Sequence, residues 1–157
     1  MYKEMRRKAN QRDEATAYEY LKAATWGVLS LAADGLPYGV PLSHGLIGKT
    51  LYFHSAKDGQ KVDFVRTNPV GWFTAVPSQV ILPGEATVHY ACVMAYGPLR
   101  VVEDERERHD GLHAINLQNG ITGEDSERFI AADGPRALVL ALDIERIDAK
   151  CTKREGE

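Results

Sequence analysis

The sequence predicts a mainly β fold, an antiparallel barrel of six strands with helices at its periphery. Three observations lead there. Six segments either alternate apolar and polar residues or stay apolar for about the length of a strand. Tight turns join most of them, Asp34-Gly35 and Gly48-Lys49 among them, and these connections are too short for the crossover helices of a parallel sheet. No Gly-x-Gly-x-x-Gly occurs, so a doubly wound dinucleotide fold is not indicated.

The elements follow in order. A short helix opens the chain, with Thr16 and Glu19 fitting a capping box and Ala17, Leu21 and Ala24 at helical spacing. Trp26 to Ala32 is a strand with Gly27, Leu29 and Leu31 on one face. Asp34-Gly35 turns it into a second strand, Leu36 to Leu46, whose two faces differ. Tyr38, Val40, Leu42, His44 and Leu46 point one way, and Pro37, Gly39, Pro41, Ser43 and Gly45 the other. A strand without bulky side chains on one side either bends at a barrel corner or lets a flat ring approach its backbone, and both readings stay open here.

Leu51 to Ser55 is an aromatic-rich strand that gives way to a helix ending at Asn68-Pro69. Val70 to Val76 carries Trp72 and Phe73, and Pro77 to Glu85 reads as a loop with an apolar tip, Val80-Ile81-Leu82. That tip suits a partner, a ligand lid or packing on the chain's own barrel. Val88 to Val102 is one long strand with a bend expected at Gly97-Pro98. An acidic helix from Asp104 to Leu117, a short helix stopped by Gly134-Pro135, and an apolar strand from Arg136 to Ile144 complete the series. With no repeat, linker or low-complexity tract, residues 1–157 read as a single domain whose core runs from about 14 to 150.

The chain is organised around Leu51-Tyr52-Phe53-His54-Ser55-Ala56-Lys57-Asp58-Gly59-Gln60-Lys61. Ser55, Lys57, Gln60 and Lys61 fall where strand becomes helix. A helix N-terminus presents unpaired N–H groups at the positive end of its dipole, so two lysines and a hydroxyl beside it suit a phosphate. The alternative is that Ser55 or Asp58 simply caps the helix and the lysines are solvated.

Composition narrows the function classes. A formal net charge of −3 offers no electrostatic footprint for nucleic acid, and Lys3, Arg6, Arg7, Lys8 and Arg12 read as a solvated basic arm. No apolar run approaches membrane length and the first residues are charged, so the expectation is a cytoplasmic protein with neither membrane span nor leader. Two cysteines, Cys92 and Cys151, do not suit a disulfide framework or a zinc ribbon.

Other constellations are weak. His109 and His113 stand at i, i+4 with Asp110 between them, the spacing of helical zinc sites, but no third ligand is evident and Gly111 interrupts the helix. The expectation is no metal. Cys92 has no local signature of a nucleophile, and no Gly-x-Ser-x-Gly elbow exists.

Met5-Arg6-Arg7-Lys8, Trp26-Gly27-Val28-Leu29, Pro37-Tyr38-Gly39-Val40-Pro41-Leu42, Tyr52-Phe53-His54-Ser55-Ala56-Lys57-Asp58-Gly59-Gln60-Lys61 and Tyr90-Ala91-Cys92-Val93 with Gly97 occur in that order. Together they resemble the nitroimidazole-resistance group of the pyridoxamine-5′-phosphate-oxidase-like proteins, over about Met5 to Lys150. The resemblance implies a six-stranded antiparallel split β-barrel, the FMN-binding split barrel, assembled as a homodimer with flavin at the subunit interface. It implies that Val40, Pro41, Leu42 and Ser43 line the isoalloxazine ring. It further implies that His54, Ser55, Ala56 and Lys57 approach the ribityl-phosphate side, Lys61 neutralises the phosphate, and Tyr90 and Cys92 contribute from near the interface. Cys92 stands where serine is common, which weakens one donor, and Trp26 stands where a smaller aromatic is usual.

The activity implied is FMN-dependent reduction of a small planar or nitroaromatic acceptor by a nicotinamide donor. His54 is the catalytic candidate, either giving a proton or only positioning a ligand. FAD and haem are the alternative cofactors, the latter with His89 or His109 as axial ligand, in a non-catalytic binding or sequestering protein of the same fold. Pyridoxamine phosphate oxidation is not expected, because the chain is short and has no counterpart of that enzyme's C-terminal substrate segment. A third option is an interaction module that uses the Val80–Leu82 tip.

Overall fold

Hairpin follows hairpin through most of the computed structural model, which describes residues 3–81, 84 and 88–152. In chain order the elements are β1 (Gln11–Arg12), α1 (Glu14–Ala23), β2 (Gly27–Ala33), β3 (Leu36–Leu42), β4 (Gly45–Ile47) and β5 (Thr50–Ser55), then α2 (Gln60–Thr67), β6 (Val70–Ile81) and β7 (Val88–Val101). α3 (Glu105–Gln118), α4 (Gly123–Asp133), β8 (Leu138–Asp143) and β9 (Arg146–Cys151) close the series. Every strand pairing is antiparallel. The order is β3-β2-β6-β7-β8-β5-β4, with β9 also on β7 and β1 on β9.

The class is mainly β with peripheral helices, as the sequence predicts, but the described residues form nine strands rather than six. The expected strand from Leu36 to Leu46 is two. It breaks at Ser43-His44, where His44 turns fully into the core, its Nε2 3.0 Å from the Leu21 carbonyl and its ring 4.9 Å from that of Phe73. β9 adds a strand beyond the apolar β8, and β1 is a two-residue bridge to it.

Several local expectations need correction. Asp13, not Thr16, caps α1: its Oδ1 accepts the Thr16 N–H at 2.9 Å. Neither Ser55 nor Asp58 caps α2; Gly59 does, at φ 113°, and no side chain bonds that terminus. The expected loop after Val76 is largely strand, because β6 runs on to Ile81 past a bulge between Ala75 and Ser78. Val80 and Ile81 are therefore paired residues, and Leu82 lies outside the described ones.

The core forms where strand alternation turns inward. Leu29, Phe53, Phe73, Val93, Leu140 and Leu142 are fully buried, with Ala17 and Leu21 of α1 laid over one end. The Asp34-Gly35 hairpin is as expected, with φ values of 52° and 79°, the left-handed pair that a two-residue turn requires. β7 changes partners along its length: it pairs with β6 and β9 as far as Pro98 and Tyr96, then with β8 from Leu99. At the change, a Cβ on Gly97 would overlap the Asp143 carbonyl oxygen. Among the described residues no helix is long and apolar enough to cross a membrane.

Two outcomes follow. Gly97→Ala is expected to destabilise by at least about 3 kcal/mol, since backbone cannot move aside cheaply, whereas Gly39→Ala should stay within about 1 kcal/mol. At Gly39 an added Cβ meets only Val28 Cγ1, at an ordinary 3.6 Å. Urea midpoints of the two variants check the contrast, and equal midpoints would contradict it. The second outcome concerns His44, whose pKa burial pushes below the ordinary 6.5 despite the bond to Leu21. The unfolded chain then binds more protons, so stability should fall as pH drops below about 6.5. His44→Gln should flatten that acid-side slope below pH about 6.5, leaving the contribution of the same sign from His54.

Candidate functional site

β5 carries the centre of the site. Its alternation buries Phe53 and Ser55 on the core side and turns Tyr52 and His54 to the opposite face. Tyr52 is covered by α3, which approaches so closely at Gly111 that a Cβ there would lie 2.7 Å from Tyr52 Cδ1. Beyond that contact the face opens, and His54 stands exposed at the edge of a cavity of about 310 Å³. Ser43 lines the same cavity. The pairing of Gly45 with Tyr52, carried two residues on, sets Ser43 alongside His54 although ladder pairing stops before it.

The far wall is apolar and comes from α3 and α4: Leu112 and Ile115 on one, Phe129 and Ile130 on the other, with Asn116 between. These wall residues were not singled out in the sequence. Their signal was the helical spacing of Leu112, Ile115 and Asn116, hidden in a helix that reads as acidic and solvated.

Behind His54 lies the start of α2. The Lys61 ammonium is 3.4 Å from the His54 carbonyl oxygen and forms no ion pair among the described residues. Partial burial lowers its pKa from the ordinary lysine value. His54 is likewise lowered, first by the packing around its base and second by the neighbouring Lys61 charge. A cation that is partly desolvated, beside a helix N-terminus that no side chain caps, is an arrangement an oxyanion would relieve. The residues present therefore fit a phosphate-bearing ligand on this side.

The other sequence candidates divide. On β3, Val40 and Leu42 pack against the core while Pro37, Gly39 and Pro41 are exposed, so the side-chain-poor face looks outward from an edge strand. Ala56 and Lys57 are exposed between β5 and α2. Ser55 is buried, on the face away from His54. Tyr90 and Cys92 do not join this group within one chain. Tyr90 lines a separate cavity of about 230 Å³ with Met5, Arg6, Arg7, Asn10 and Lys150, and Cys92 is half-buried with its thiol pKa raised by burial.

Comparison with known proteins agrees with this architecture. The model of the family described as pyridoxamine 5′-phosphate oxidase matches residues 13–151. No curated protein matches the chain. Among solved structures, a "putative 5-nitroimidazole antibiotic resistance protein" from Bacteroides thetaiotaomicron superposes with a TM-score of 0.72 at 18% identity, over 88% of this chain and 84% of that one. The flavocytochrome Anf3 from Azotobacter vinelandii gives 0.78 at 18% identity, over 96% of this chain and 73% of that one. A FAD-binding protein from Mesorhizobium loti gives 0.65 at 18% identity, over 91% and 97%. At these identities the likeness is one of fold.

Lys61→Ala is expected to raise the His54 pKa, because it removes a positive neighbour that disfavours the imidazolium. An NMR titration of the His54 ring measures it, and an unchanged or lower value would refute the coupling.

Proposed function

This chain belongs to the pyridoxamine 5′-phosphate oxidase family, and from that premise we propose that it is an FMN-dependent oxidoreductase. Its acceptor in this reading is a small planar or nitroaromatic compound, and a reduced nicotinamide supplies the electrons. A bound flavin supplies the redox chemistry; the protein contributes binding, orientation and charge. Lys61, Lys57 and the first N–H groups of α2 hold the phosphate. Pro41 and Ser43, with the backbone of Val40 and Leu42, flank the flat ring along the exposed side of β3. His54, its base packed and its edge open, faces the cavity in which an acceptor would lie.

Of the two roles the sequence offers His54, its lowered pKa favours positioning. Partial burial and then the Lys61 charge disfavour the imidazolium, so in this reading the ring is a hydrogen-bonding, positioning group and protons consumed in the reduction come from solvent. In the same reading Tyr90 and Cys92 reach the ring from the other copy in a homodimer, which accounts for their separation from His54 within one chain. The observation that carries the proposal is Lys61: an ammonium partly out of water, with no carboxylate partner among the described residues, at the start of α2 where no side chain caps the helix.

A second reading, a flavin- or haem-binding protein without turnover, is supported by the likeness to a flavocytochrome and a FAD-binding protein. Spectra separate the two. The purified protein is expected to carry a flavin absorbance that reduced nicotinamide bleaches anaerobically and a nitroaromatic restores. A flavin that resists the donor, or a haem Soret band, would select the binder. Lys57→Ala with Lys61→Ala should weaken FMN retention by at least about tenfold, the scale of a lost charge-assisted bond. Undiminished retention would refute the phosphate assignment under either reading.

A further inference from the structure

α4 packs on α3 so that a third candidate ligand reaches the histidine pair. We propose that His109, His113 and Glu127 form a binding site for a divalent transition metal of the zinc type, clamping α4 to α3. Glu127 Oε1 lies 2.9 Å from His113 Nε2 and Glu127 Oε2 lies 3.3 Å from His109 Nε2. The two imidazoles meet edge to face, with centroids 4.7 Å apart. One ligand atom from each of the three residues lies within 4.8 Å of the others. Ligands about 2.0–2.1 Å from a tetrahedral zinc ion sit roughly 3.3 Å from one another, so binding draws the three ligand atoms closer together. The side chains are 44%, 32% and 61% exposed, which gives them room for that and gives the ion a path in.

The surroundings of His113 distinguish this group from a chance surface cluster. Its Nδ1 is 2.7 Å from Ser126 Oγ, and that hydroxyl accepts a bond from Asn116 Nδ2 at 3.0 Å. Ser126 is the one buried residue of α4. Ligating histidines are commonly held through their second ring nitrogen in this manner, which sets the tautomer and the ring direction. Here the hydroxyl serves both states. It can donate to Nδ1 in the tautomer whose Nε2–H bonds Glu127, and can accept from Nδ1–H in the tautomer whose Nε2 lone pair is free for a metal.

Gly111, which looked like a weakness in the sequence, lets α3 lie against Tyr52 and keeps the i, i+4 pair on a docked helix. Two imidazoles and one carboxylate leave a coordination position for water, a donor set suited to zinc or cobalt rather than to calcium or magnesium. Because Asn116 belongs to the cavity wall along with Leu112, Phe129 and Ile130, an ion here fixes the two helices that bound the space beside His54. This assignment stands independently of the flavin.

Tag-free protein stripped with chelator and titrated with Co²⁺ tests it. One equivalent per chain should bind at micromolar concentration, with visible d–d absorption of four- or five-coordinate cobalt that Zn²⁺ displaces, and Zn²⁺ should raise the melting temperature. Glu127→Gln should weaken binding at least tenfold, and the double variant H109A/H113A should abolish both the spectrum and the thermal shift. Ser126→Ala should weaken binding about 10- to 100-fold while the same three ligands remain. Far-ultraviolet circular dichroism confirms that each variant is folded. Absence of stoichiometric binding to the intact protein overturns the proposal, as does binding unaffected in Glu127→Gln or in the double histidine variant.

Discussion

β7 has to serve two sets of partners, and it can do so only because position 97 has no side chain. Up to that point its edges belong to β6 and β9; from Leu99 it pairs with β8. The exchange brings the corner after β8 against the strand backbone, with the Asp143 carbonyl against Gly97 and the Glu145 N–H donating to Tyr96 O at 2.9 Å. The register of β5, which carries the centre of the candidate site, follows from this crossing. β8 pairs with β5 from Asp143–Thr50 to Leu138–Ser55, and that ladder decides which face receives Tyr52 and which residue, His54, clears the end of α3. A corner displaced by one residue would exchange the two faces of β5 and put the imidazole in the core.

The polar joint above β5 fixes α3 in turn. Arg100 on β7 donates through Nη1 and Nη2 to Glu107 at 2.9 and 2.6 Å and through Nε to Asp143 at 3.0 Å. Tyr52 Oη donates to Glu107 at 3.0 Å, and Thr50 Oγ1 to Asp143 at 2.9 Å. The guanidinium holds the Glu107 carboxyl below the usual range, and at Asp143 it and Thr50 outweigh the opposing effect of burial. Burial, then Glu107, pushes the Tyr52 phenol up to about 12. Much of this joint is open to water, so its value lies less in net energy than in direction: a planar fork accepts few orientations of the helix it holds. The cavity wall is thus positioned from the barrel side by Arg100 and from the solvent side by the packing of α4.

What could be read in the sequence was what depends on neighbours along the chain. Asp34-Gly35 specifies its own turn, and the alternation of β2 names its buried residues without reference to anything else. His44 misled for an instructive reason. It continues the apolar parity of Tyr38, Val40 and Leu42, so it reads as one more strand residue, yet the carbonyl that satisfies it belongs to Leu21 on α1. Likewise Glu127 is an exposed acid on a helix until α4 folds beside α3, and the wall residues of the cavity acquire meaning only from the space they face. Tertiary partners of this kind leave no periodic trace.

The unlike faces of β3 show where a chain's own packing stops explaining its sequence. An edge strand tolerates Pro37 and Pro41, because no ladder partner waits for their missing N–H on the free side. Gly39 has no such excuse. It carries no left-handed φ, and a methyl group would meet only Val28 Cγ1 at 3.6 Å. Neither a turn nor close packing inside the protomer calls for glycine there, and glycine in a strand costs roughly 0.5–1 kcal/mol against alanine. A corner, the first of the two readings of this face, comes four residues later at Ser43-His44, and it does not involve Gly39. Within the protomer the glycine therefore leaves a flat, side-chain-poor ledge between the two prolines. That exposed Pro37-Gly39-Pro41 face belongs to the strand that leads directly to Ser43 at the mouth of the cavity.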